Sequence, residues 1–404
     1  MILCVVAIVF GMNAGGGNVD TAIDAAPVVA GNAAFALDTY GKLRAGTGNL
    51  FFSPYSISSA LAMTYAGARG ETAEEMRRTL HLPEGDETHK AFAAILRQTN
   101  GASDLYALLC ANALWMQSGD PFLPGFLSIV QDDYQAGLFD VDYRDSAHRE
   151  AARLQINDWV AKKTKDKIQN LIGKGALSQN TSLVLTNAIY FKGAWATPFR
   201  ETLTKKDDVF RTADGRSVPV AMMHHGTKTR LKYGETATYQ VVELPYLGGS
   251  LAMDILLPRT VDGLPALEAT LSEPSLNKIL AERKVRPVDV ELPKFRLEAA
   301  IELSKTLEAL GMRLAFQVDK ADFLGISGSR ELSISAVIHK AFVDVTEQGT
   351  EAAAATALIM ATRAMVPSPE TPVRFRADHP FLFLIRDTRN GGILFLGRLQ
   401  EPSK

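Results

Sequence analysis

Cysteine is almost missing from this chain. Cys4 and Cys110 are the only two in 404 residues, too few for a disulfide framework. Cys4 also lies where a targeting segment would be removed, so cysteine usage leaves the redox compartment unread. An excess of charge of either sign is missing too: Lys plus Arg total 43 against 45 for Asp plus Glu, a net charge of -2. Such a balance supplies no overall field for drawing in nucleic acid or an anionic membrane, so the expected partner is protein or small molecule. Enzyme signatures are missing: there is no HExxH, no GxxxxGK[ST], no GxGxxG after a strand, and Gly325 to Ser329, reading GISGS, misses the GxSxG elbow. His224 and His225 are adjacent and would face opposite sides of a strand, with no Cys or acidic cluster about them, so they read as surface histidines and not metal ligands. His339, alone among apolar residues, reads as a hydrogen-bonded core residue and not a base. No cofactor is implied.

A membrane-spanning run is also lacking. Met1 to Phe10, with Ile2, Leu3, Val5, Val6, Ile8 and Val9, is too short to cross a bilayer and has the length of a signal-peptide core. The first basic residue is Lys42, so the usual positive start is absent, and a buried terminal strand is the alternative. The signal-peptide reading makes residues 1–17 a signal peptide or a disordered terminus, residues 18–404 one domain, and the protein extracellular or periplasmic.

What is present is an ordinary globular composition, 47% hydrophobic and 22% charged, with no linker, low-complexity tract or repeat between Ala30 and Pro402. Ser53 can cap a helix, Pro54 suits its first turn, and Ile57, Leu61 and Tyr65 follow at helical spacing up to Gly67. Thr72 and Glu75 form a capping-box pattern ahead of Met76 and Leu80, and Ala151 to Val160 reads as an amphipathic helix. Strand signals then dominate: Ser182 to Phe191, Tyr239 to Leu244, Leu251 to Leu257, Val288 to Leu297, Leu332 to Val345, Pro380 to Ile385 and Gly392 to Leu399. Helices and strands are segregated, so the class is α+β with large sheets. Thr350 to Met365, TEAAAATALIMATRAM, resists assignment: its alanines favour helix, while flanking strands and Pro367, Pro369 and Pro372 favour an exposed loop.

Four blocks carry a family resemblance. NLFFSPYSIS from Asn49 to Ser58, TNAIYFKGAWATPF from Thr186 to Phe199, HKAFVDVTEQGTEAAAAT from His339 to Thr356 and HPFLFLIRDTRNGGILFLGRLQEP from His379 to Pro402 occur in the order of the serpins. The chain resembles that family from about Ala30 to its end. The resemblance implies three β-sheets surrounded by about nine helices, a metastable native state and an exposed reactive-centre loop over about 347–372. It assigns Ser53, Ser56, Asn187 and His339 to a polar cluster under the main sheet, Trp195 to the place where the loop enters, and Glu347 and Lys294 to a strand-end ion pair nearby.

The resemblance also makes Glu347, Gly349, Thr350, Glu351, Ala352, Ala353, Ala354, Ala355 and Thr356 the hinge. Side chains alternate faces along a strand, so a loop that becomes a central strand must be small on the face that meets the interior, as Thr350, Ala352, Ala354 and Thr356 are. Counting from Gly349 with the spacing common in inhibitory members places the cleaved bond between Arg363 and Ala364. Arginine there fits a protease pocket that ends in a carboxylate. Ala364 where Ser is frequent, and the proline-rich stretch from Pro367 to Pro372, depart from common members. The expectation is a non-enzymatic, monomeric suicide-substrate inhibitor of trypsin-like serine proteases; a non-inhibitory carrier serpin is the alternative, and a serine hydrolase lacks its nucleophile motif. Arg77 and Arg78 near His81 are too few for a polyanion site, and Asn180, Thr181 and Ser182 form a glycosylation acceptor pattern.

Overall fold

The computed structural model describes residues 23–85, 87–99, 105–119, 121–226, 229–350 and 370–402. Ser53 is extended and accepts a hydrogen bond from Ser56 N at 3.1 Å, and Pro54 opens the helix Pro54–Tyr65. Every residue from Pro54 to Thr64 is buried, so the helix threads the interior, with the hydroxyls of Ser56, Ser58 and Thr64 hydrogen-bonded inside the protein. Thr72 and Glu75 do not cap: the helix starts earlier, as Gly70–Thr79, and both side chains serve a neighbouring segment. Thr72 Oγ1 accepts from Asp322 N at 3.0 Å, and Glu75 accepts from Arg313 N and Leu314 N at 2.7 Å each. Helices Ala26–Leu43, Thr88–Thr99, Pro124–Ser128, Leu264–Thr270, Glu273–Ala281, Ser304–Leu310 and Leu324–Ser327 add to the three read from sequence, giving ten α-helices among the described residues.

The main sheet has six strands in the order Phe295–Glu302, Ile334–Thr346, Gly349–Thr350, Leu183–Ala194, Tyr106–Gln117 and Gly137–Val141. The other ten strands form one hydrogen-bonded ladder, because Lys284–Pro293 changes partner along its length. It pairs with Thr229–Glu235 over Lys284 to Val288, with Ser217–His224 over Glu291 to Pro293, and in parallel with Val373–Arg376. One strand thus joins two of the three expected sheets. The expected strand from Val288 to Leu297 is in fact two. Pro293 has no N–H to continue a ladder, and beyond Lys294 the chain enters the main sheet as Phe295–Glu302.

The larger core fills the space between the sheets and around Pro54–Tyr65. A smaller one lies on the opposite face of the main sheet, where the helix Ser146–Lys163 and the return through Ile168, Leu171 and Ile172 cover Trp115, Ala188, Tyr190 and Phe342. Trp115 is fully buried and stacks on Phe139 at 4.0 Å, and burying a side chain of that size is worth about 3 kcal/mol. This covering helix packs on Tyr106–Gln117 and Gly137–Val141, and its apolar cluster extends to the two central strands, Leu183–Ala194 and Ile334–Thr346, whose joint is the site of interest.

Candidate functional site

Over most of their length the two central strands bond directly, in parallel register from Ile334 opposite Leu183 to Phe342 opposite Tyr190. His339 stands opposite Asn187 in that ladder, and Asn112 of the next strand stands opposite Asn187 on its other side. Their side chains meet Ser53 and Ser56 at the start of the interior helix. Ser53 N donates to His339 Nε2 at 3.1 Å, which leaves Nδ1 to donate to Asn187 Oδ1 at 2.5 Å and fixes a neutral ring. Asn187 Nδ2 faces Ser56 O, Ser56 Oγ and Asn112 Oδ1 at 2.9, 2.5 and 2.5 Å. Ser53 Oγ donates to Leu394 O at 2.6 Å, and Ser56 Oγ lies 3.1 Å from Cys110 Sγ. Burial holds His339 well below its ordinary pKa, at about 3, so the cluster carries no charge near neutrality. One cluster therefore ties four strands to a helix, and all its groups are satisfied inside the protein.

Beyond Phe342 the strands part. The chain turns after Thr346 and sends Gly349–Thr350 back between them, antiparallel to both, with Thr350 opposite Val345 on one side and Gly193 on the other. Thr350 is fully buried, and its Oγ1 lies 2.7 Å from Tyr246 Oη. Tyr246 stacks on Trp195 at 4.6 Å, and Trp195 Nε1 donates to Thr346 O at 3.0 Å. The backbone is held too: Trp195 N donates to Gln348 O at 3.0 Å and Phe199 N to Glu347 O at 2.9 Å. Gly349 has φ 152°, and a Cβ there would meet Gly193 O at 2.1 Å, so no side chain fits.

Lys294 Nζ lies 2.6 Å from Glu347 Oε2, and Thr204 Oγ1 donates to Oε1 at 2.7 Å. Burial alone would raise the Glu347 pKa, but these two donors outweigh it and hold the carboxyl below its usual range. Gln348 Nε2 donates to Glu201 Oε1 at 3.1 Å.

The expected residues thus fall into two groups along one joint: Ser53, Ser56, Asn187 and His339 below, and Trp195, Lys294, Glu347, Gly349 and Thr350 above. Glu351, Ala352, Ala353, Ala354, Ala355, Thr356, Arg363 and Ala364 lie outside the described residues, as do Met1 to Phe10. Sequence reading missed Asn112, Thr204 and Tyr246. Asn112 had a visible signal, an amide inside the apolar strand YALLCANALWMQ; Tyr246 and Thr204 had none, being brought in by tertiary contact alone. The surface reading of the histidine pair is corrected. His224 is half-buried, 2.7 Å from Asp289 Oδ1. His225 is buried, stacks on Phe199 at 4.0 Å and donates from Nε2 to Thr197 O at 3.1 Å, because it follows the strand end into the packed corner beside Trp195.

A family model described as "Serpin (serine protease inhibitor)" matches residues 30–402. An uncharacterized serpin-like protein of Thermococcus kodakarensis is 42% identical over 380 residues, 93% of this chain and 86% of that one. The leukocyte elastase inhibitor of Homo sapiens is 41% identical over 379 residues, 92% of this chain and 98% of its own. Among solved structures, uncleaved ovalbumin superposes with a TM-score of 0.83 at 30% identity, covering 93% of this chain and all of ovalbumin. The expectation of an extracellular or periplasmic protein is overturned by these relatives. The human, bovine and rat elastase inhibitors are matched over 98, 99 and 98% of their length, which leaves them no room for a counterpart of the apolar run that suggested export.

Proposed function

The chain belongs to the serpin family of serine protease inhibitors, and from that premise we propose that it is a suicide-substrate inhibitor of trypsin-like proteases, cut between Arg363 and Ala364. The observation that carries the reading is the Gly349–Thr350 strand, which supports a loop that continues into the joint on the same alternation. Thr350 faces Tyr246 in the interior, and residues 352, 354 and 356 of an entering strand would share that face; they are Ala, Ala and Thr. No bulky side chain stands in the way.

The chemistry belongs to the protease. Its serine attacks the Arg363 carbonyl carbon, the bond to the Ala364 nitrogen breaks, that amine leaves with a proton, and an ester remains. The inhibitor contributes no catalytic group, in keeping with a family of inhibitors and not of enzymes. Insertion of about 13 residues at about 3.3 Å each then carries the esterified protease about 43 Å before water reaches the ester. An oxyanion donor displaced by an ångström costs the protease about 3 kcal/mol of transition-state stabilisation, so the ester persists.

Relatives named as elastase inhibitors put forward a competing class of target. Arg363 speaks for the trypsin class, because a guanidinium pairs with a carboxylate at the base of a pocket through two charge-assisted hydrogen bonds. Incubation with trypsin and denaturing electrophoresis should give a covalent complex, with Ala364 as the new N-terminus. Arg363→Leu should lose trypsin and gain elastase-like or chymotrypsin-like targets. A cut chain without a covalent complex would favour the non-inhibitory alternative, and a cut after Met365 would refute the register.

A further inference from the structure

The guanidinium of Arg69 is fixed in place without a carboxylate. The helix Pro54–Tyr65 ends just before it, and Nη1 turns back to donate to Ala66 O at 3.0 Å and Ala68 O at 2.7 Å, as basic side chains do at the end of a helix. Its flat face lies on Gly325, where a Cβ would come within 2.3, 2.4 and 2.5 Å of Nη2, Cζ and Nη1. Gly325 N donates to Gly67 O at 3.0 Å, so the backbone beneath the guanidinium is tied to the same turn.

Capping accounts for Nη1 and not for the rest of the group. Nε and Nη2 form an edge that can take a carboxylate through two parallel hydrogen bonds, and neither has a partner among the described residues. The acids of the adjoining segments are engaged elsewhere: Glu71 with Arg78 at 2.8 Å, Glu74 with Arg77 at 2.7 Å, Glu75 with Arg313 N and Leu314 N at 2.7 Å each, and Asp133 with Lys90 at 2.8 Å. Gly325 serves the same group, because a larger residue there would lift the guanidinium from its seat.

Arg69 lines a half-open cavity of about 370 Å³, a volume within the range of small-molecule sites. The other walls are apolar or aromatic, with Ala68, Ala73 and Ile129 beside Tyr65 and His89, whose ring centres are 6.0 Å apart. His89 Nδ1 lies 2.7 Å from Tyr134 Oη, which holds its ring in the wall. We propose that this cavity is a binding site for a small aromatic monocarboxylate, with the carboxylate forked on Arg69 Nε and Nη2 and the ring against Tyr65 and His89. One seated guanidinium matches one carboxylate, and seating it in advance lowers the ordering cost of binding. Aromatic walls favour a planar body, which can stack on them or meet them edge on. The cavity stands at the opposite end of the helix Pro54–Tyr65 from Ser53 and Ser56, outside the joint between the central strands.

The test titrates the full chain with phenylacetate by calorimetry, beside phenylacetamide, which keeps the shape and lacks the charge. Phenylacetate should bind saturably, and phenylacetamide about tenfold more weakly, since hydrogen bonds to a charged group are lost. Arg69→Gln should weaken phenylacetate by a similar factor, and Arg69→Lys should not restore it, because an ammonium cannot fork. Gly325→Ala keeps Arg69 but displaces its guanidinium, so it should weaken phenylacetate and leave the weaker binding of phenylacetamide unchanged, a split that loss of folding cannot give. Arg78→Gln, which removes a charge from the adjoining helix, should change nothing. Equal affinity for acid and amide, undiminished binding by Arg69→Gln or Gly325→Ala, an equal loss in Arg78→Gln, or no saturable binding of phenylacetate would each overturn the proposal.

Discussion

The lower and upper parts of the joint between Leu183–Ala194 and Ile334–Thr346 are built from the same two strands and sealed by different chemistry. Below, the strands are laddered directly and backed by a neutral, fully bonded cluster centred on His339 and Asn187. Above, they are parted by two residues and secured by a ring stack, an ion pair and one threonine hydroxyl. The upper part already holds a guest strand, so the cost of admitting more lies below, where every bond between the strands must be exchanged for one to the newcomer. Under the proposed insertion the polar cluster would act as a catch there, since a buried network resists being half undone more than it resists being rebuilt whole.

Four expectations would sharpen or break this contrast. The largest concerns cleavage. Filling the lower joint with a strand of about ten or more paired residues at about 1 kcal/mol each should raise the melting temperature by about 20 °C, at about 2 °C per kcal/mol for a large chain. Calorimetry on intact and trypsin-cut protein measures it, and equal melting points would refute insertion.

Thr350→Arg comes next. Because Thr350 is already buried in the intact protein, the substitution acts before any protease arrives. An unpartnered guanidinium there costs about 3–5 kcal/mol, so Gly349–Thr350 should leave the joint. The variant should be cut by trypsin at the same bond with little covalent complex; efficient trapping would show that the upper strand is no precondition.

Acid should follow. His225, held by burial at about 4 against an ordinary 6.5, and His339, held at about 3, are neutral in the fold and take up protons more readily when unfolded. Their stabilising contribution is complete above about pH 6.5 and drains away as the pH falls through about 4 and then 3. For His225 alone the loss is on the order of 3 kcal/mol. His225→Phe, which keeps the stack on Phe199, should flatten the melting temperature between pH 6 and 4; an unchanged slope would exclude it as a source. The smallest effect is Tyr246→Phe, which removes one hydroxyl from Thr350 and should lower intact stability by about 1 kcal/mol, with little change after cleavage elsewhere in the joint.

The strands that form most of the core were readable because they are nearly continuous apolar runs, Leu183–Ala194 above all. Val288 to Leu297 was misread because apolar character persists while the chain changes sheets at Lys294, a three-dimensional event with no periodic signature. His339 stood out as a lone histidine among apolar residues and Ser53 as a helix cap, whereas Asn187 was reached through the family resemblance alone. Tyr246 and Thr204 could not, since an ordinary tyrosine after a strand and a threonine before one gain meaning only from Thr350 and Glu347 across the gap. His225 was read as exposed because adjacency predicts opposite faces, but its strand ends at His224 and the alternation stops.

Tryptophan occurs three times in the chain, and its distribution has an optical consequence. Trp115 and Trp159 meet edge to face at 5.8 Å under the covering helix, away from the entry. Trp195 alone lies at the entry, its ring against Tyr246 and its N–H on Thr346. One indole in three is therefore coupled to the guest strand, while the other two share a separate environment. If the loop inserts as proposed, Trp195 would serve as an intrinsic fluorescent gauge of it with an internal reference, and passage between the intact and inserted states would be followed in emission without any added label.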